Sequence, residues 1–208
     1  MLLYQFFPHD GALAALRSKR LRISRLDGLN DPFEFFCVDL SNRNMRLALN
    51  KTKAQLSKNR GLLCFCKSWQ NPVMWSHYAQ KHQGICMGFE VSAEIHPVTY
   101  IGDRLRWPNK LDEEFMKKLL FTKFSHWSYE EEYRVYANID TPEDGHYYIP
   151  FSENLQLRRV LIGCNSSITC HQLNEVIGKP RDAVEVIKVR PAFRTFSIVK
   201  QKRGRAWA

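Results

Sequence analysis

The sequence predicts an α+β fold, and three observations lead to that prediction. Strand and helix patterns alternate irregularly along the 208 residues, with adjacent strand patterns in the second half, which argues against a doubly wound sheet. A hydrophobic content of 44% is enough for a packed core. No apolar run approaches the roughly 20 residues that span a bilayer, so no membrane partner is expected. We expect one α+β domain over residues 1–199, with a mixed or split antiparallel sheet and flanking helices, and a frayed basic tail over 200–208.

The first half of the chain contains predicted strands separated by predicted helices. Short apolar or alternating runs indicate strands at 2–7, 21–25, 61–66, 85–89 and 98–101. Helical spacing of apolar residues follows Asp10, and a polar, basic helix is expected over 43–57. Asn71 as cap and Pro72 at the first helical position predict a further helix, which Gln83 and Gly84 are expected to end.

The second half is expected to be richer in strands. An amphipathic helix is predicted over 110–121 and a short helix over 168–177. Strands are predicted over 130–137, 146–150, 157–163 and 184–189.

The charge of the chain favours an anionic partner. Lys and Arg number 31 against 21 Asp and Glu, so the net charge is +10. Such an excess is typical of proteins that bind nucleic acid or nucleotides, and nucleic acid is the expected partner. Three of the six cysteines sit in apolar runs without zinc-finger spacing, so we expect reduced structural thiols, no metal site and a cytoplasmic location.

One acidic stretch, residues 123–136, carries more chemistry than any other. Three consecutive glutamates are poor strand formers, yet they begin a strand pattern. Strand alternation predicts that Glu130, Glu132 and Arg134 share one face and that Glu131 points away. We interpret this face as an acidic catalytic or binding group, with a solvated salt-bridge ladder as the structural alternative.

Three other groups could bind a ligand. A turn-forming loop contains Asn30 and Asp31 before Pro32, and it either presents polar groups to a ligand or only turns the chain. Helical spacing would place Trp75, Tyr78 and His82 on one face, able to stack on a planar base or to pack on a sheet. Tyr4, on the first strand, is either core or ligand wall. No Gly-rich phosphate loop or His-Glu-x-x-His pattern occurs.

These groups in this order resemble a bacterial family known as domain of unknown function 2971. Its features are a Leu-Tyr-x-Phe start, an Asn-Asp-Pro-Phe-Glu loop, a Cys-Phe-Ser-like strand, a Met-Trp-x-His-Tyr helix running into Gly-x-Cys-x-Gly-Phe, and a Trp-x-Tyr-Glu-x-Glu-Tyr-Arg strand. The corresponding residues are Leu3–Phe6, Asn30–Glu34, Cys64–Cys66, Met74–Tyr78, Gly84–Phe89 and Trp127–Arg134. Cys66 stands where Ser is usual.

The resemblance implies an ADP-ribosyltransferase-like fold, with a cleft that holds NAD as substrate. On that basis the expected function is transfer of ADP-ribose to a nucleic acid, as a bacterial toxin or phage-defence effector with a possible antitoxin protein as partner. Glu132 is the first candidate for the catalytic carboxylate, Glu130 the second, and Arg134 would fix a carboxylate or a pyrophosphate. The residues expected to bind NAD are Tyr4, Asn30, Asp31, Trp75, Tyr78 and His82.

Two alternatives stay open from the residues themselves. One is a magnesium-dependent nuclease that uses Asp31, Glu34, Glu130 and Glu132. The other is a non-enzymatic nucleic-acid-binding module, in which the basic surface binds and the glutamates are structural.

Overall fold

A computed structural model describes residues 1–108, 110–177 and 184–202, and it shows an α+β protein with two compact units. Unit 1 comprises Met1–Leu21, Phe65–Ala93 and Ile149–Ala208, and unit 2 comprises Arg22–Cys64 and Glu94–Tyr148. The strands are β1 (Leu2–Phe7), β2 (Arg20–Arg25), β3 (Arg60–Cys66), β4 (Ile85–Val91), β5 (His96–Pro97), β6 (Thr99–Ile101), β7 (Thr122–Phe124), β8 (Glu132–Asn138), β9 (Tyr147–Pro150), β10 (Leu155–Ile162), β11 (Glu185–Pro191) and β12 (Ile198–Lys200). The α-helices are α1 (His9–Ser18), α2 (Arg43–Asn59), α3 (Pro72–Tyr78), α4 (Glu113–Leu120) and α5 (Cys170–Ile177).

Unit 1 is built on a mixed sheet in which strands follow the order β12-β11-β10-β4-β1. β10 and β11 run parallel, whereas the other neighbours are antiparallel. β1 pairs with β4 along its whole length, from Leu2 opposite Glu90 to Phe7 opposite Ile85. Because β4 lies between two strands and is buried on nearly all positions, its sequence is a continuous apolar run rather than an alternating one.

Helix α3 of unit 1 begins where local chemistry predicts, whereas α1 begins at His9, before Asp10, and has no side-chain cap. In α3 the Asn71 side chain accepts a hydrogen bond from the backbone N–H of Val73 at 2.9 Å, and Pro72 occupies the first position, where no backbone donor is needed. The predicted cap is therefore confirmed. The next turn buries Trp75, whose ring meets Phe6 of β1 edge-on with centroids 5.2 Å apart.

The described part of unit 2 combines two small strand groups with the α-helices α2 and α4. β3 pairs with β2 and with β8, β8 pairs with β5, and β6 runs parallel to β7. The helix predicted over 110–121 is shorter than expected, because Asp112 caps it by accepting from the backbone N–H of Phe115 at 3.0 Å. The core of unit 2 is apolar and contains Leu26, Phe35, Cys37, Val38, Leu49, Leu62, Phe115 and Leu119.

The carboxyl-terminal segment is ordered further than expected at its start. Lys200, predicted to begin a frayed tail, closes β12, and the backbone N–H of Gln201 donates to Lys188 O at 2.9 Å. Residues 203–208 of the predicted tail lie outside the described residues. Over the described part of the chain, no helix is both long and apolar enough to cross a membrane.

Candidate functional site

Unit 2 buries five charged side chains in mutual contact, which we call the charge cluster. Its members are Glu34, Lys123, Glu130, Glu132 and Arg134. None of these residues is more than 6% exposed. Buried charges are tolerated only when they are paired and hydrogen-bonded, so the contacts within the cluster decide its stability.

Arg134 is the centre of the cluster. Its Nε and Nη2 donate to the two carboxylate oxygens of Glu132 at 2.8 and 3.0 Å. Its Nη1 and Nη2 donate to the two oxygens of Glu34 at 3.0 and 2.5 Å, and Nη1 also donates to the backbone carbonyl of Leu120 at 2.7 Å. A guanidinium has five N–H donors, so this set of contacts uses all of them.

Lys123 connects the remaining carboxylate. Its Nζ donates to Glu130 at 2.6 Å and to Glu132 at 3.3 Å, and it lies 3.7 Å from Glu34. The ring of Trp127, which is only half-buried, lies with its centroid 4.7 Å from the same Nζ. The ammonium is thus covered by one aromatic side chain. With every group ionised, three carboxylates face two cations, so the cluster carries one net negative charge.

A short 3₁₀ helix, Ser125–Glu130, brings the two catalytic candidates together. The prediction that Glu130 lies on the strand is wrong, because β8 begins only at Glu132. Glu131 between them has a φ of 44°, in the left-handed region, and its exposed side chain points away as expected. This turn lets Glu130 and Glu132 approach Lys123 from two different elements rather than from one strand face.

The loop before Pro32 positions Glu34. The Asp31 side chain accepts from the backbone N–H of Phe33 at 2.9 Å, and its carbonyl accepts from the N–H of Glu34 at 3.1 Å. Asp31 is buried, and its Oδ2 has no hydrogen-bond partner among the described residues. Asn30 is exposed. Of these two residues expected to bind NAD, Asp31 is therefore a buried turn residue and Asn30 is at the surface.

The electrostatics of the cluster favour the charged forms of Glu132 and Lys123. Burial alone would raise the pKa of Glu132, but Arg134 and then Lys123 outweigh it, so the pKa is lowered. Burial alone would lower the pKa of Lys123, but Glu132, Glu130 and Glu34 outweigh it and raise the pKa. The neighbouring Cys64 thiol has a pKa well above its usual range, first because of burial and then because of Glu132, so it stays protonated and unreactive.

Tyr4 lies in unit 1 and is held in the sheet. Its hydroxyl accepts from Nη1 of Arg159 at 2.8 Å, and burial raises its pKa. Gly88 on the neighbouring strand makes room for the ring, since a Cβ there would lie 2.9 Å from Tyr4 Cε1. Its backbone carbonyl also accepts from the Cys66 thiol at 3.4 Å, and the residue as a whole is buried.

The predicted aromatic face of helix α3 is only partly formed. The prediction that Trp75, Tyr78 and His82 share a helical face is wrong, because α3 ends at Tyr78 and His82 follows with a φ of 67°. His82 nevertheless stacks on Trp75, with ring centroids 6.4 Å apart and planes 9° apart. Trp75 is fully buried and its Nε1 donates to Trp69 O at 2.6 Å, so it is a core residue.

His82 and Tyr78 are the more accessible members of this group. His82 is half-buried, burial lowers its pKa, and its Nδ1 is buried without a hydrogen-bond partner in the described part of the chain. Tyr78 is half-buried and meets His77 edge-on, with centroids 6.1 Å apart. Of the candidates from sequence, Glu130, Glu132 and Arg134 meet in unit 2, and Trp75 and His82 meet in unit 1.

Unit 2 also contains a cavity of about 350 Å³. It is mainly apolar, and its lining residues are Phe33, Phe36, Cys37, Ile101, Gly102, Asp103, Arg104, Thr122 and Phe124. Thr122 and Phe124 line it from β7, and because strand side chains alternate, Lys123 between them points to the charge cluster on the opposite face. The guanidinium of Arg104 lies 5.2 Å from the Phe33 ring centroid. Burial raises the pKa of the Cys37 thiol to about 11, so this thiol is not a nucleophile.

The sequence alone assigned no role to Lys123, a member of the charge cluster, or to Tyr100, which contacts Glu132. Lys123 stands between a threonine and a phenylalanine in a three-residue strand, and that position could have indicated an inward-facing cation. Tyr100 accepts a hydrogen bond from the backbone N–H of Glu132 at 2.8 Å, and burial raises its pKa to about 12. Nothing in the local pattern around Tyr100 indicates this contact.

Comparison with known proteins gives one finding. Residues 74–101 match the model of a family described as "Protein of unknown function (DUF2971)". The match begins in α3 and ends with β6, so it includes Trp75, Tyr78 and His82 and supports the resemblance drawn from the motifs. No curated protein and no solved structure matches the chain. Among the described residues, no group of three or more His, Cys, Asp or Glu side chains is arranged to hold a metal ion.

Proposed function

We propose that the chain is an ADP-ribosyltransferase that uses NAD as substrate and a nucleic acid as acceptor, acting as a toxin or phage-defence effector with an antitoxin protein as a possible partner. The observation that carries the proposal is the convergence of Glu130 and Glu132 on Lys123 within the charge cluster. Two candidate carboxylates from different elements are thus brought close together, and the proposed reaction has a role for each.

The chemistry follows from the charges. The bond between ribose C1′ and the nicotinamide nitrogen breaks with its electron pair going to nicotinamide, and the acceptor forms a bond to C1′ while losing a proton. Positive charge develops on the ribose, and a cluster with one net negative charge stabilises it. In this proposal Glu132, held by Arg134, would stabilise that charge, and Glu130 would take the proton of the acceptor.

The proposal requires that substrate reach a buried group. The contact of Lys123 with Glu132, at 3.3 Å, is longer than its contact with Glu130, at 2.6 Å. A ribose hydroxyl would therefore displace the ammonium more easily from Glu132 than from Glu130. The cover over Lys123 is the half-buried ring of Trp127, on a 3₁₀ helix of only six residues. Displacement of this short segment would expose the carboxylates.

The cavity of unit 2 supports a ligand with a planar ring. Phe33, Phe36 and Phe124 line it with aromatic side chains, and Arg104 adds a positive charge to its wall. Mainly apolar pockets with a few polar groups are the usual sites for small molecules. The roles of Tyr4, Tyr78, His82 and Asn30 in binding NAD stay proposals, and Trp75 would act by supporting His82.

Helix α2 supports a nucleic-acid acceptor. Its 17 residues include no acidic side chain, and Arg43, Lys51 and Lys58 are exposed on it. At 100° per residue these three lie within one quarter of the helix circumference, opposite the buried Leu49. A stripe of this kind fits phosphate groups and makes binding sensitive to salt.

The test is incubation of the protein with labelled NAD and RNA, DNA or cell lysate, together with calorimetry of NAD binding. Activity is normalised to the folded fraction, because Glu132→Gln also removes a bidentate partner of Arg134 and destabilises unit 2. We expect Glu132→Gln and Glu130→Gln to lose transfer, and the exposed Glu131→Gln to keep it. Absence of both transfer and NAD binding in the wild-type protein would overturn the proposal.

A second candidate, the non-enzymatic nucleic-acid-binding module, is favoured by one observation. All five N–H donors of Arg134 are hydrogen-bonded to other groups of the protein, as those of a purely structural cation would be. Nucleic-acid binding that is unchanged in Glu130→Gln, with no NAD turnover, would select this candidate. The nuclease is not carried forward, because Lys123 and Arg134 already occupy the carboxylates of Glu34, Glu130 and Glu132.

A further inference from the structure

Two phenylalanines at the connection between β11 and β12 are almost fully exposed. Phe193 is 89% exposed and Phe196 is 102% exposed. Leaving a phenylalanine side chain in water forgoes the favourable free energy of burying it. Isolated exposed apolar residues are common, but two large aromatic rings three residues apart form a local surface that needs an explanation.

The exposure does not come from an irregular chain end. β11 and β12 are antiparallel, with Pro191 opposite Ile198, and the backbone N–H of Ala192 donates to Ser197 O at 2.8 Å. The Thr195 and Ser197 hydroxyls are hydrogen-bonded at 2.7 Å. The hairpin is also joined to the rest of unit 1, since the N–H of Ile198 donates to Gln70 O at 2.8 Å. We call residues 192–197 the hairpin tip.

The surroundings of the hairpin tip are strongly basic. Residues 186–202 contain five Lys or Arg side chains and no acidic one. Lys188 and Lys200 have partners, the first at the carbonyls of Gly163 and Ser166 and the second at Glu185. Arg194 at the tip is exposed, and Lys202 beyond β12 is exposed as well.

One of these cations already contacts an exposed ring. The Arg190 guanidinium carbon lies 4.1 Å from the centroid of the Phe193 ring, within the range of a cation–π interaction. Its Nη1 donates to Pro191 O at 2.8 Å. These contacts hold the guanidinium beside one face of the Phe193 ring and leave the ring 89% exposed.

We propose that the hairpin tip is a stacking platform for unpaired bases of a single-stranded nucleic acid, with Phe193 and Phe196 stacking on bases and Arg190 and Arg194 contacting phosphates. Single-strand-binding surfaces combine aromatic side chains, which stack on any base, with a basic track for the backbone. Bases in a duplex are already stacked and cannot use such rings. The inference rests on the proposed function only in that both name a nucleic-acid partner.

The test measures binding of a fluorescein-labelled single-stranded oligoribonucleotide by anisotropy, without NAD and at two salt concentrations. Stacking on one aromatic side chain is worth about tenfold or more in affinity. We therefore expect the double variant Phe193→Ala/Phe196→Ala to bind at least about 100-fold more weakly. The matched control is Val186→Ala, which removes a partly exposed apolar side chain from β11 of the same hairpin. It should bind like the wild-type protein.

Two further arms identify the partner and the source of the effect. Arg194→Gln should weaken binding and reduce its salt dependence, because a phosphate contact is lost. Wild-type protein should prefer the single strand to a matched duplex. Equal affinity of the double variant and the wild-type protein would overturn the inference. Preference of the wild-type protein for duplex would also overturn it. So would a double variant that binds RNA like the wild-type protein but no longer binds anionic phospholipid vesicles.

The outcome can be separated from that of the proposed enzymatic function. NAD hydrolysis, in which water replaces the nucleic acid as acceptor at C1′, tests the charge cluster alone, and RNA binding without NAD tests the hairpin tip alone. Loss of RNA binding in the double variant with NAD turnover unchanged supports both proposals. NAD turnover without any contribution of the two phenylalanines to RNA binding overturns the inference only.

Discussion

Arg134 and Glu34, which are 100 residues apart in sequence, form a two-pronged ion pair with N···O distances of 3.0 and 2.5 Å. Both side chains are almost completely buried. Arg134 holds Glu132 by a second two-pronged contact. The pair therefore joins the loop after Pro32 to strand β8, and the orientation of Glu132 depends on it.

Glu34→Ala should destabilise the protein by about 3 kcal/mol, because two donors of a buried guanidinium lose their partner. The measurement is chemical unfolding at pH 7, followed by circular dichroism. Glu113→Ala is the matched control, since Glu113 pairs with Lys117 on the exposed face of α4. This control should change the free energy of unfolding by no more than about 0.5 kcal/mol. Equal effects of the two substitutions would contradict a structural role for the pair.

Acid should destabilise the wild-type protein through Glu132. The pKa of Glu132 is lowered in the folded protein, so its contribution to stability is present above its unfolded pKa of about 4.3 and disappears as pH falls through the folded value. The free energy of unfolding, measured between pH 7 and pH 3, should be constant above about pH 5 and should fall below about pH 4. Glu131→Gln should reproduce the wild-type curve, since that side chain is exposed.

Lys123→Met should reverse that pH dependence. Without its ammonium, three carboxylates face only Arg134, so folding favours protonation and the free energy of unfolding rises as pH falls from 7 to about 5. At pH 7 the loss should be about 3–5 kcal/mol. The control is Lys118→Met, an exposed lysine that pairs with Glu114 on α4. If the free energy of unfolding of the Lys123→Met variant keeps the wild-type dependence on pH, Lys123 does not balance the negative charge of the cluster.

Gly88→Ala should destabilise unit 1 by about 1–3 kcal/mol, the usual cost of overpacking. A Cβ at this position would lie 2.9 Å from Tyr4 Cε1 and 3.1 Å from Arg159 Cβ. Gly102→Ala is the matched control, because no atom lies within 4 Å of the Cβ position there. Thermal unfolding of the two variants measures the difference, and an unchanged midpoint in Gly88→Ala would show that Tyr4 can move away.

Much of the fold could be predicted because it depends on short-range chemistry. The Asn71-Pro72 start of α3 is confirmed, since a cap and a first-turn proline act on neighbouring backbone groups. β1 and β4 were recognisable from apolar runs. The end of α3 was predicted wrongly, because four residues of helical spacing up to His82 do not show that the chain turns after Tyr78.

The sequence identified three residues of the candidate site, but neither their arrangement nor their partners. Glu130, Glu132 and Arg134 were identified by their residue types, and they do meet. Glu132 and Arg134 share a face of β8 as predicted, but Glu130 does not lie on that strand, because Glu131 adopts a left-handed conformation that ends a 3₁₀ helix, which strand alternation cannot indicate. The partners that decide their charge state, Lys123 and Glu34, come from other elements.

The sequence by itself determined that the chain is α+β, that it is strongly basic, and that three consecutive glutamates stand at the start of a strand pattern. These properties are sums over residues or interactions between neighbours along the chain. Only the tertiary structure decided that this stretch is buried around Arg134 rather than displayed as a ladder, and that Phe193 and Phe196 lie in solvent. Burial and Coulomb energy depend on distances in space, and those distances join residues that the chain separates by many positions.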